Sequence, residues 1–531
     1  MPLRFPLSRR SFLIRGASLS GLAAASCSDE PESVQGDPDA DSFADTGADV
    51  NADAAVDAGE PGDAVGTDTA DGSAPGPDAA ACTGSVTISM VHVNDIHSNY
   101  SPDASGVSPV SRIVGYHRSV LATNPLTIFT NAGDDFEKGA VAEAMSGGIA
   151  TLDITRAMGF DVRCIGNHDF AWSEDVMLDF SDDPTAATIS SNVGYTGPTP
   201  ERWKAREFVI REVDCLRIGY FGMVGQPWNE FNEQYEGNFF ENFPMRHDYV
   251  ERATELVNEY RSQVDILIMC SHLGLGLDRL IAEAVPGIDI ILGGHSHSIV
   301  NPEQIVGETI IIQAGSSAQF IAHLDVDVDR ETREITGYRY ELLLNSPGVV
   351  PVDEDMDRMV TEILTRTAPT WAEVVGTASR RLDAADMAQV MSEAAAQVLN
   401  ADAAFTDRGT AWVAVGSGDV TAQDFINCFT VERQPAGTPG YNSYGVASVS
   451  GAVLRQMQAN VDPEWGAAGP TEIDDTATYS VALQRHVAGR TGRYFGDGAV
   501  IADYTLADEC FAILSEYARQ RATEGLSIDR D

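Results

Sequence analysis

The sequence predicts an α/β protein with two structured domains, a larger N-terminal one and a smaller C-terminal one. Apolar, β-branched segments recur along the first part of the chain, and each is followed by polar or glycine residues. Helical patterns lie between several of these segments. At 531 residues, the chain also exceeds what one hydrophobic core usually organises. The predicted strands are residues 86–93, 126–130, 162–165, 266–270 and 288–292.

The N-terminal residues 1–27 have the pattern of an export signal. Arg9 and Arg10 form a twin-arginine signature, and the apolar run that follows is too short to span a bilayer. The run ends at Cys27, in a context that resembles a bacterial lipobox. We therefore expect twin-arginine export to the periplasm or cell surface, with membrane attachment through a lipidated Cys27. The alternative is an ordinary cleavage site.

Residues 28–85 are predicted to be a disordered acidic linker. They are dominated by Asp, Ala, Gly, Pro, Ser and Thr and contain no Lys or Arg. Much of the formal net charge of −46 lies there. This charge makes a nucleic-acid polymer an unfavourable partner, because like charges repel and no basic patch offsets them.

The seven cysteines are scattered and show no CxxC spacing, so a thiolate zinc site is not expected. Cys164 and Cys270 lie in apolar runs, which favours free thiols in the core. The sequence leaves the pairing of the other cysteines open.

The remaining elements divide the structured part of the chain. A helix over 249–261 places Val250, Ala253, Leu256 and Val257 on one face. The first domain should cover residues 86–345, followed by a linker and helix over 346–374 and a second domain over 375–531. Within the second domain the pattern predicts short strands around Ala403 and Val446 and helices over 387–399, 452–460 and 506–519.

Metal-ligating residue types follow the predicted strands of the first domain. Alternate residues leaving a strand share one side, so Asp95 with His97, and His295 with His297, can reach a common centre. Imidazole and carboxylate ligands without thiolates suit zinc, manganese, iron or cobalt. Each motif is weak alone, but five in this order predict a metal centre. The motifs are Asp95-Ile96-His97, Gly133-Asp134, Gly166-Asn167-His168, Ser271-His272 and Gly294-His295-Ser296-His297.

This series resembles the calcineurin-like metallophosphoesterases and, within them, the 5′-nucleotidases, over residues 86–329. The resemblance implies a four-layer α/β/β/α sandwich, two divalent metal ions and hydrolysis of phosphate esters by in-line attack of an activated water. It also implies the metal ligands. One ion would be held by Asp95, His97 and His297 and the other by Asn167, His272 and His295, with Asp134 bridging both.

The same resemblance gives His168 a catalytic role, supplying positive charge or a proton to the leaving alkoxide. In 5′-nucleotidases the motif usually continues Glu-Phe-Asp, and that aspartate orients the histidine. Here the run is Asp169-Phe170-Ala171. Glu137, three residues after Asp134, is our candidate for the missing acid, since related serine/threonine phosphatases resemble this arrangement. Asp169 is the alternative.

Residues 375–531 resemble the nucleotidase C-terminal domain more loosely, which leaves substrate recognition open. The positions of the family's asparagine and arginine read Asp407 and Trp412, and its GGDG stretch reads residues 490–493. Arginines that pair with phosphate and aromatics that stack on a base could replace them. The candidate substrate-binding residues are Arg408, Tyr441, Arg493, Tyr494 and Phe495.

Together these features predict an exported phosphoesterase that acts on a small phosphorylated substrate, either 5′-nucleotides or related phosphomonoesters. Two alternatives within enzymes use the same core, a 2′,3′-cyclic phosphodiesterase and a nucleotide-sugar hydrolase. A third alternative is a metal-binding lipoprotein whose catalysis has weakened.

Overall fold

A computed structural model describes residues 82–529, except 104, 138–139, 226–238, 412–413 and 430–442. The predicted signal and nearly all of the predicted linker lie outside the described residues. The described residues belong to one compact unit. Within the described part of the chain, no helix combines the length and the apolar character needed to cross a bilayer.

The first part of the chain alternates strands and helices as the sequence predicts. Its strands are β1 (Ser85–Val93), β2 (Thr127–Asn131), β3 (Val162–Cys164), β4 (Ala187–Ile189), β5 (Phe208–Val213), β6 (Leu216–Val224), β7 (Ile266–His272), β8 (Ile290–Gly293), β9 (Gln304–Val306), β10 (Thr309–Gln313), β11 (Phe320–Asp329) and β12 (Ile335–Leu344). Its helices are α1 (Pro109–Thr123), α2 (Val141–Ser146), α3 (Ile149–Met158), α4 (Glu174–Ser181), α5 (Tyr249–Tyr260), α6 (Leu275–Ala284) and α7 (Glu354–Thr367).

These strands form two six-stranded sheets. The first has the order β12-β11-β1-β2-β3-β4, and the second has the order β5-β6-β7-β8-β10-β9. In the first sheet β1 to β4 are parallel, and in the second β6, β7, β8 and β10 are parallel. Every residue of β7 is buried, as expected of a parallel strand covered on both faces. All five predicted strands are confirmed within one or two residues at most ends.

The two sheets face each other across a common core. Ile88 and Met90 from the first sheet pack in one cluster with Ile218 and Tyr220 from the second. Helices cover the outer faces, and α5 buries Ala253, among other apolar residues, against the second sheet. The result is the predicted four-layer α/β/β/α sandwich with a second, smaller α/β region after it.

The second region contains a two-stranded sheet, β13-β15, and a five-stranded sheet of order β17-β14-β18-β16-β19. Its strands are β13 (Val374–Ala378), β14 (Ala403–Thr406), β15 (Gly418–Thr421), β16 (Ser443–Ser450), β17 (Gly466–Ala468), β18 (Thr478–Gln484) and β19 (Ala502–Glu509). Its helices are α8 (Ala384–Val398), α9 (Ala422–Cys428), α10 (Gly451–Asn460), α11 (Arg485–Ala488), α12 (Thr491–Phe495) and α13 (Cys510–Thr523).

The predicted last helix over 506–519 is wrong at its beginning. Residues 502–509 form β19, which pairs antiparallel with β16, and the helix begins only at Cys510. Cross-strand hydrogen bonds available only in the folded sheet override the local helical pattern. The predicted strands around Ala403 and Val446 and the helices over 387–399 and 452–460 are confirmed.

The helical faces of the two regions share one core. Ile154 of α3 and Phe425 of α9 belong to the same cluster of buried apolar residues. A polar contact reinforces this boundary, because Gln423 Oε1 accepts from the Val141 amide at 3.3 Å and from the Ser101 hydroxyl at 2.9 Å. The predicted limits of 86–345 and 375–531 remain predictions, since the shared core runs across them.

One disulfide, Cys82–Cys215, joins the beginning of the described chain to the turn between β5 and β6. The sequence did not assign this pair. Cys164 and Cys270 are free and buried, as predicted.

Candidate metal centre

Five loops, each at the carboxyl end of a parallel strand, bring the predicted ligands together. Side chains that follow neighbouring parallel strands emerge at the same edge of a sheet. Both sheets contribute, so the site lies across the seam between them. Asp95 and His97 follow β1, Asp134 follows β2, Asn167 follows β3, His272 ends β7, and His295 and His297 follow β8.

The backbone at these loops adopts the left-handed conformation at several ligands. Asp95, His97, Asp134 and His297 have φ between 49° and 58°. Non-glycine residues rarely adopt this region, and its cost persists only where surrounding contacts impose it. The ligands are therefore held in place by the fold.

Two glycines explain how the loops approach so closely. Gly133 and Gly166 lie against each other's loops, and a Cβ on either would collide with the backbone of the opposite turn. Gly133 also has φ of 91°, which favours glycine. These glycines allow Asp134 and Asn167 to face the same centre.

The first ligand group comprises Asp95, His97 and His297. His97 Nε2 lies 3.0 Å from His297 Nε2, and Asp95 Oδ1 lies 3.3 Å from His297 Nε2 and 3.7 Å from His97 Nε2. Three donor atoms thus converge on one small volume.

The second ligand group comprises Asp134, His272 and His295, and Asn167 lies against it. Asn167 Oδ1 lies 2.8 Å from His295 Nδ1 and 3.1 Å from His272 Nε2. Asp134 Oδ2 lies 3.0 Å from His272 Nε2 and 3.8 Å from His97 Nε2. The Asp134 carboxylate therefore lies between the two groups.

Backbone carbonyls set the orientation of two of the imidazoles. The carbonyl of Phe136 lies 3.1 Å from His97 Nδ1, and the carbonyl of Ala132 lies 2.7 Å from His272 Nδ1. Because a carbonyl only accepts, each Nδ1 must donate, and each Nε2 lone pair points at the ligand group. This arrangement is typical of histidines that bind metals.

The charge of the site fits a cation. Asp95 and Asp134 are buried, and within the described residues their ion pairs involve only histidines. Burial lowers the pKa of His97 to about 3. Burial also disfavours a charge on His272, but Asp134 and Asp95 outweigh it and raise the pKa of His272 to about 10. Buried carboxylates of this kind require positive charge nearby, and nitrogen and oxygen donors without thiolates suit a divalent metal.

His168 lies beside the first group, with its ring 5.0 Å from that of His97. Its Nδ1 contacts the Glu137 carboxylate, and its amide donates to Asp134 Oδ1 at 2.7 Å. Asp169, the alternative partner, instead accepts the amides of Gly166 and Asp134, and of Asp135. The structure thus places Glu137, and not Asp169, against the imidazole.

The substrate-binding candidates are dispersed over the second region. Phe495 is fully buried against Phe405, so it offers no surface to a ligand in this structure. Tyr494 is half-buried and packs on Trp465 at 5.0 Å, while Arg493 and Arg408 are exposed. Tyr441 and Trp412 lie outside the described residues.

Sequence reasoning missed a pair beside these candidates. His486 Nε2 lies 3.2 Å from Asp407 Oδ2, at the carboxyl ends of the parallel strands β14 and β18. It also missed buried polar residues behind the metal ligands, such as His92, whose Nε2 lies 3.2 Å from the Gly293 carbonyl. His92 is visible in the sequence as a polar residue inside an apolar run. Its partner, Gly293, lies in the other sheet, so the contact could not be predicted.

The facing sheets and the ligand groups at their carboxyl edge define the metallophosphoesterase class of α/β proteins. Residues 88–298 match the model of the calcineurin-like phosphoesterase family. That match covers about two fifths of the chain, and the fold is shared with a solved 5′-nucleotidase. A 5′-nucleotidase precursor from Thermus thermophilus superimposes with a TM-score of 0.62 at 18% identity, covering 82% of this chain and 96% of that chain.

Two curated relatives are similar in sequence. The chain is 24% identical over 443 residues to the trifunctional nucleotide phosphoesterase protein YfkN of Bacillus subtilis, covering 72% of this chain and 28% of that protein. It is 24% identical over 301 residues to the 5′-nucleotidase of Bos taurus, covering 51% of each. The chain thus spans about half or less of the length of these relatives.

A buried carboxyl group supports the loop that carries His272. Asp278 of α6 is fully buried and accepts from the Ser271 hydroxyl. Burial raises the pKa of Asp278 from its ordinary value of 3.8 to about 7, although Ser271 and His272 oppose the shift.

Asp278→Asn should therefore change how stability depends on pH. The folded protein keeps the Asp278 proton up to about pH 7, whereas the unfolded chain releases it near 3.8. The stability contribution is complete below the lower value and is lost as pH rises through the higher one. We expect the free energy of unfolding, parent minus variant, to fall by up to about 1.4 kcal/mol per pH unit in this window. Urea denaturation of both proteins across the window measures it, and a constant difference would contradict the prediction.

Proposed function

We propose that the protein is an exported phosphoesterase that hydrolyses small phosphate monoesters with the help of two divalent metal ions. The observation that carries this proposal is the position of Asp134. Its Oδ2 lies 3.0 Å from His272 Nε2 and 3.8 Å from His97 Nε2, between the two ligand groups. A carboxylate shared by two such groups is suited to bridging two ions.

In this proposal the ligands would divide between two ions as the family resemblance implies, and Asp134 would be shared by both. Zinc, manganese, iron and cobalt all accept this set of nitrogen and oxygen donors. Two such ions supply Lewis acidity, both for activating a water and for stabilising charge on the phosphoryl group. Asp95, His97 and His297 would hold the first ion, and Asn167, His272 and His295 would hold the second.

His168 acts on the leaving group in this proposal. With Nδ1–H directed to Glu137, its Nε2 is the nitrogen that can serve the substrate. A carboxylate at Nδ1 fixes the tautomer and stabilises the protonated ring, which can then donate to the departing oxygen. Glu137 is thus the acid that supports His168, and it orients the ring without contacting the substrate.

Nucleotides are the proposed substrates, and the names of the relatives support this choice, because they describe a nucleotide phosphoesterase and a 5′-nucleotidase. The half-buried Tyr494 could stack on a base, and the exposed Arg408 and Arg493 could pair with phosphate. A 2′,3′-cyclic phosphodiesterase or a nucleotide-sugar hydrolase would use the same centre, so a screen must include diesters and nucleotide sugars.

Export is part of the proposal. The twin-arginine signature at Arg9 and Arg10 supports it, and so does the Cys82–Cys215 disulfide, because disulfides persist in oxidising compartments. Lipidation of Cys27 would place the enzyme on a membrane surface, in the periplasm or outside the cell.

Replacing the ligand proposed for both ions, or a ligand proposed for one ion, should abolish hydrolysis in either case. The two variants should differ in how much metal they lose. We expect Asp134→Asn to lower the content of both ions and His297→Ala that of one, each with at least about a hundredfold loss of kcat on an aryl phosphate. Elemental analysis of the purified proteins and steady-state kinetics measure both effects. Glu174→Gln, whose side chain contacts Asn242 and Tyr195, is the matched control. A metal-loaded parent that cleaves no phosphoester would refute the proposed function.

Selectivity for nucleotides over simple phosphates should be weak. Trp412 stands where the family has an arginine, and an indole cannot provide the charged, planar fork of a guanidinium. We expect kcat/KM for 5′-AMP to exceed that for an alkyl phosphate by less than roughly tenfold. A much larger ratio, lost in Arg408→Ala, would show that Arg408 has taken over recognition.

Glu137→Gln should weaken the support that the Glu137 carboxylate gives His168 and leave metal binding unchanged. The variant keeps the size of the side chain but removes its charge, so the protonated imidazole loses stabilisation. We expect kcat to fall at least about tenfold and a limb of its pH profile to move, with metal content unchanged. Parent-like kinetics in Glu137→Gln would remove Glu137 from the mechanism.

A further inference from the structure

A second acid lies behind the His168–Glu137 pair and has no place in the metal centre. Glu143, in the short helix α2, is fully buried. Its Oε1 accepts from the Glu137 amide at 2.8 Å and from the Trp172 indole Nε1 at 3.0 Å. Its Oε2 accepts from the Thr151 hydroxyl. Among the described residues, this buried carboxylate therefore accepts from side chains or amides on three separate segments.

Two of these donors belong to the segments that carry the pair. Glu137 is itself a member of the His168–Glu137 pair, and its backbone amide donates to the Glu143 carboxylate. Trp172 follows the 3-10 helix His168–Phe170, which carries the other member. The two donors share the same oxygen, so the carboxylate sets the spacing between the two segments. Hydrogen bonds to an ionised acceptor are shorter and stronger than neutral ones, which suits such a restraint.

We infer that Glu143 is a positioning residue that holds Glu137 against His168. This inference rests on the proposed function, because it assigns Glu143 a role in the same proton transfer. Displacing a catalytic group by about 1 Å can lower a rate about a hundredfold, so a restraint on the spacing of the pair has kinetic value.

The helix that carries Glu143 has other anchors. Val141 and Ala144 are buried, and Gln423 from α9 accepts from the Val141 amide. We therefore expect α2 to stay in place when the Glu143 carboxylate is removed, while the Glu137 amide and the Trp172 indole lose this acceptor. This separates the proposed role from general support of the fold.

Two substitutions at this position give opposite expectations. Glu143→Gln retains an oxygen for the two N–H donors, and its amide can donate to the Thr151 hydroxyl. Glu143→Ala leaves both N–H groups without this acceptor. We expect Glu143→Ala to lower kcat at least about tenfold with KM within about threefold, and Glu143→Gln to stay within about threefold of the parent. Metal content should be unchanged in both.

Glu174→Ala is the matched control, because its carboxylate also lies on a helix of the first region but accepts from Asn242 and Tyr195 and not from the Glu137 amide or the Trp172 indole. We expect its kcat to match that of the parent. If Glu143→Ala loses stability but retains the parent's kcat and pH profile, its role is structural only and the inference is overturned.

A double-mutant cycle tests whether Glu143 acts through His168. On a His168→Ala background, Glu143→Ala should lower kcat by less than about twofold further, because the group that it positions is absent. A full tenfold loss on that background would show an independent effect and overturn the inference.

Hydrogen exchange of the metal-loaded protein provides a readout that does not depend on activity. Peptides covering 134–143 and 166–173 should exchange faster in Glu143→Ala than in the parent, and Glu143→Gln should restore protection. Unchanged exchange in Glu143→Ala overturns the inference even if the parent is active. If the parent hydrolyses no phosphoester, the proposed function fails, and with it a catalytic role for Glu143, whatever the exchange shows.

Discussion

The burial of two carboxylates, Asp95 and Asp134, with no lysine or arginine paired to them among the described residues, is the constraint on which the site depends. Unpaired buried charge is costly, so this interior is stable only with a cation or protonated histidines in contact. The unusual local features serve that requirement. Candidate ligands adopt left-handed backbone conformations, and Gly133 and Gly166 let their two loops pack closely together. Backbone carbonyls orient the imidazoles. The sandwich is the frame that brings the two carboxylates together.

Asp169, Glu137 and Glu143, three further buried acids near this centre, have different partners. Asp169 accepts backbone amides and fixes the loops around Asp134, while Glu137 contacts the imidazole of His168. Glu143 lies behind both segments and accepts from each. Which acid supports the histidine therefore depends on where each carboxylate can reach, since Asp169 follows His168 directly in sequence yet turns toward the backbone.

The convergence of the candidate ligands was predictable because each follows an apolar strand, and parallel strands deliver such residues to one edge. Those strands and the sandwich were confirmed. Other features depend on partners distant in sequence. β19 has a helical pattern in its local sequence but pairs with β16. Phe495 packs against Phe405 in a core that the sequence alone does not identify. Glu143 also gives no local signal, since its partners lie six, eight and 29 residues away.

The core shared by the two regions has a consequence for modularity. Ile154 and Phe425 pack in one cluster, and Gln423 accepts from the first turn of α2. Excising either half would expose apolar surface that the other now covers, so each half should be less stable alone than in the intact chain. The protein should therefore lose its structure in one concerted transition. A change in the second region could also reach the loops that carry the ligand groups through packing alone.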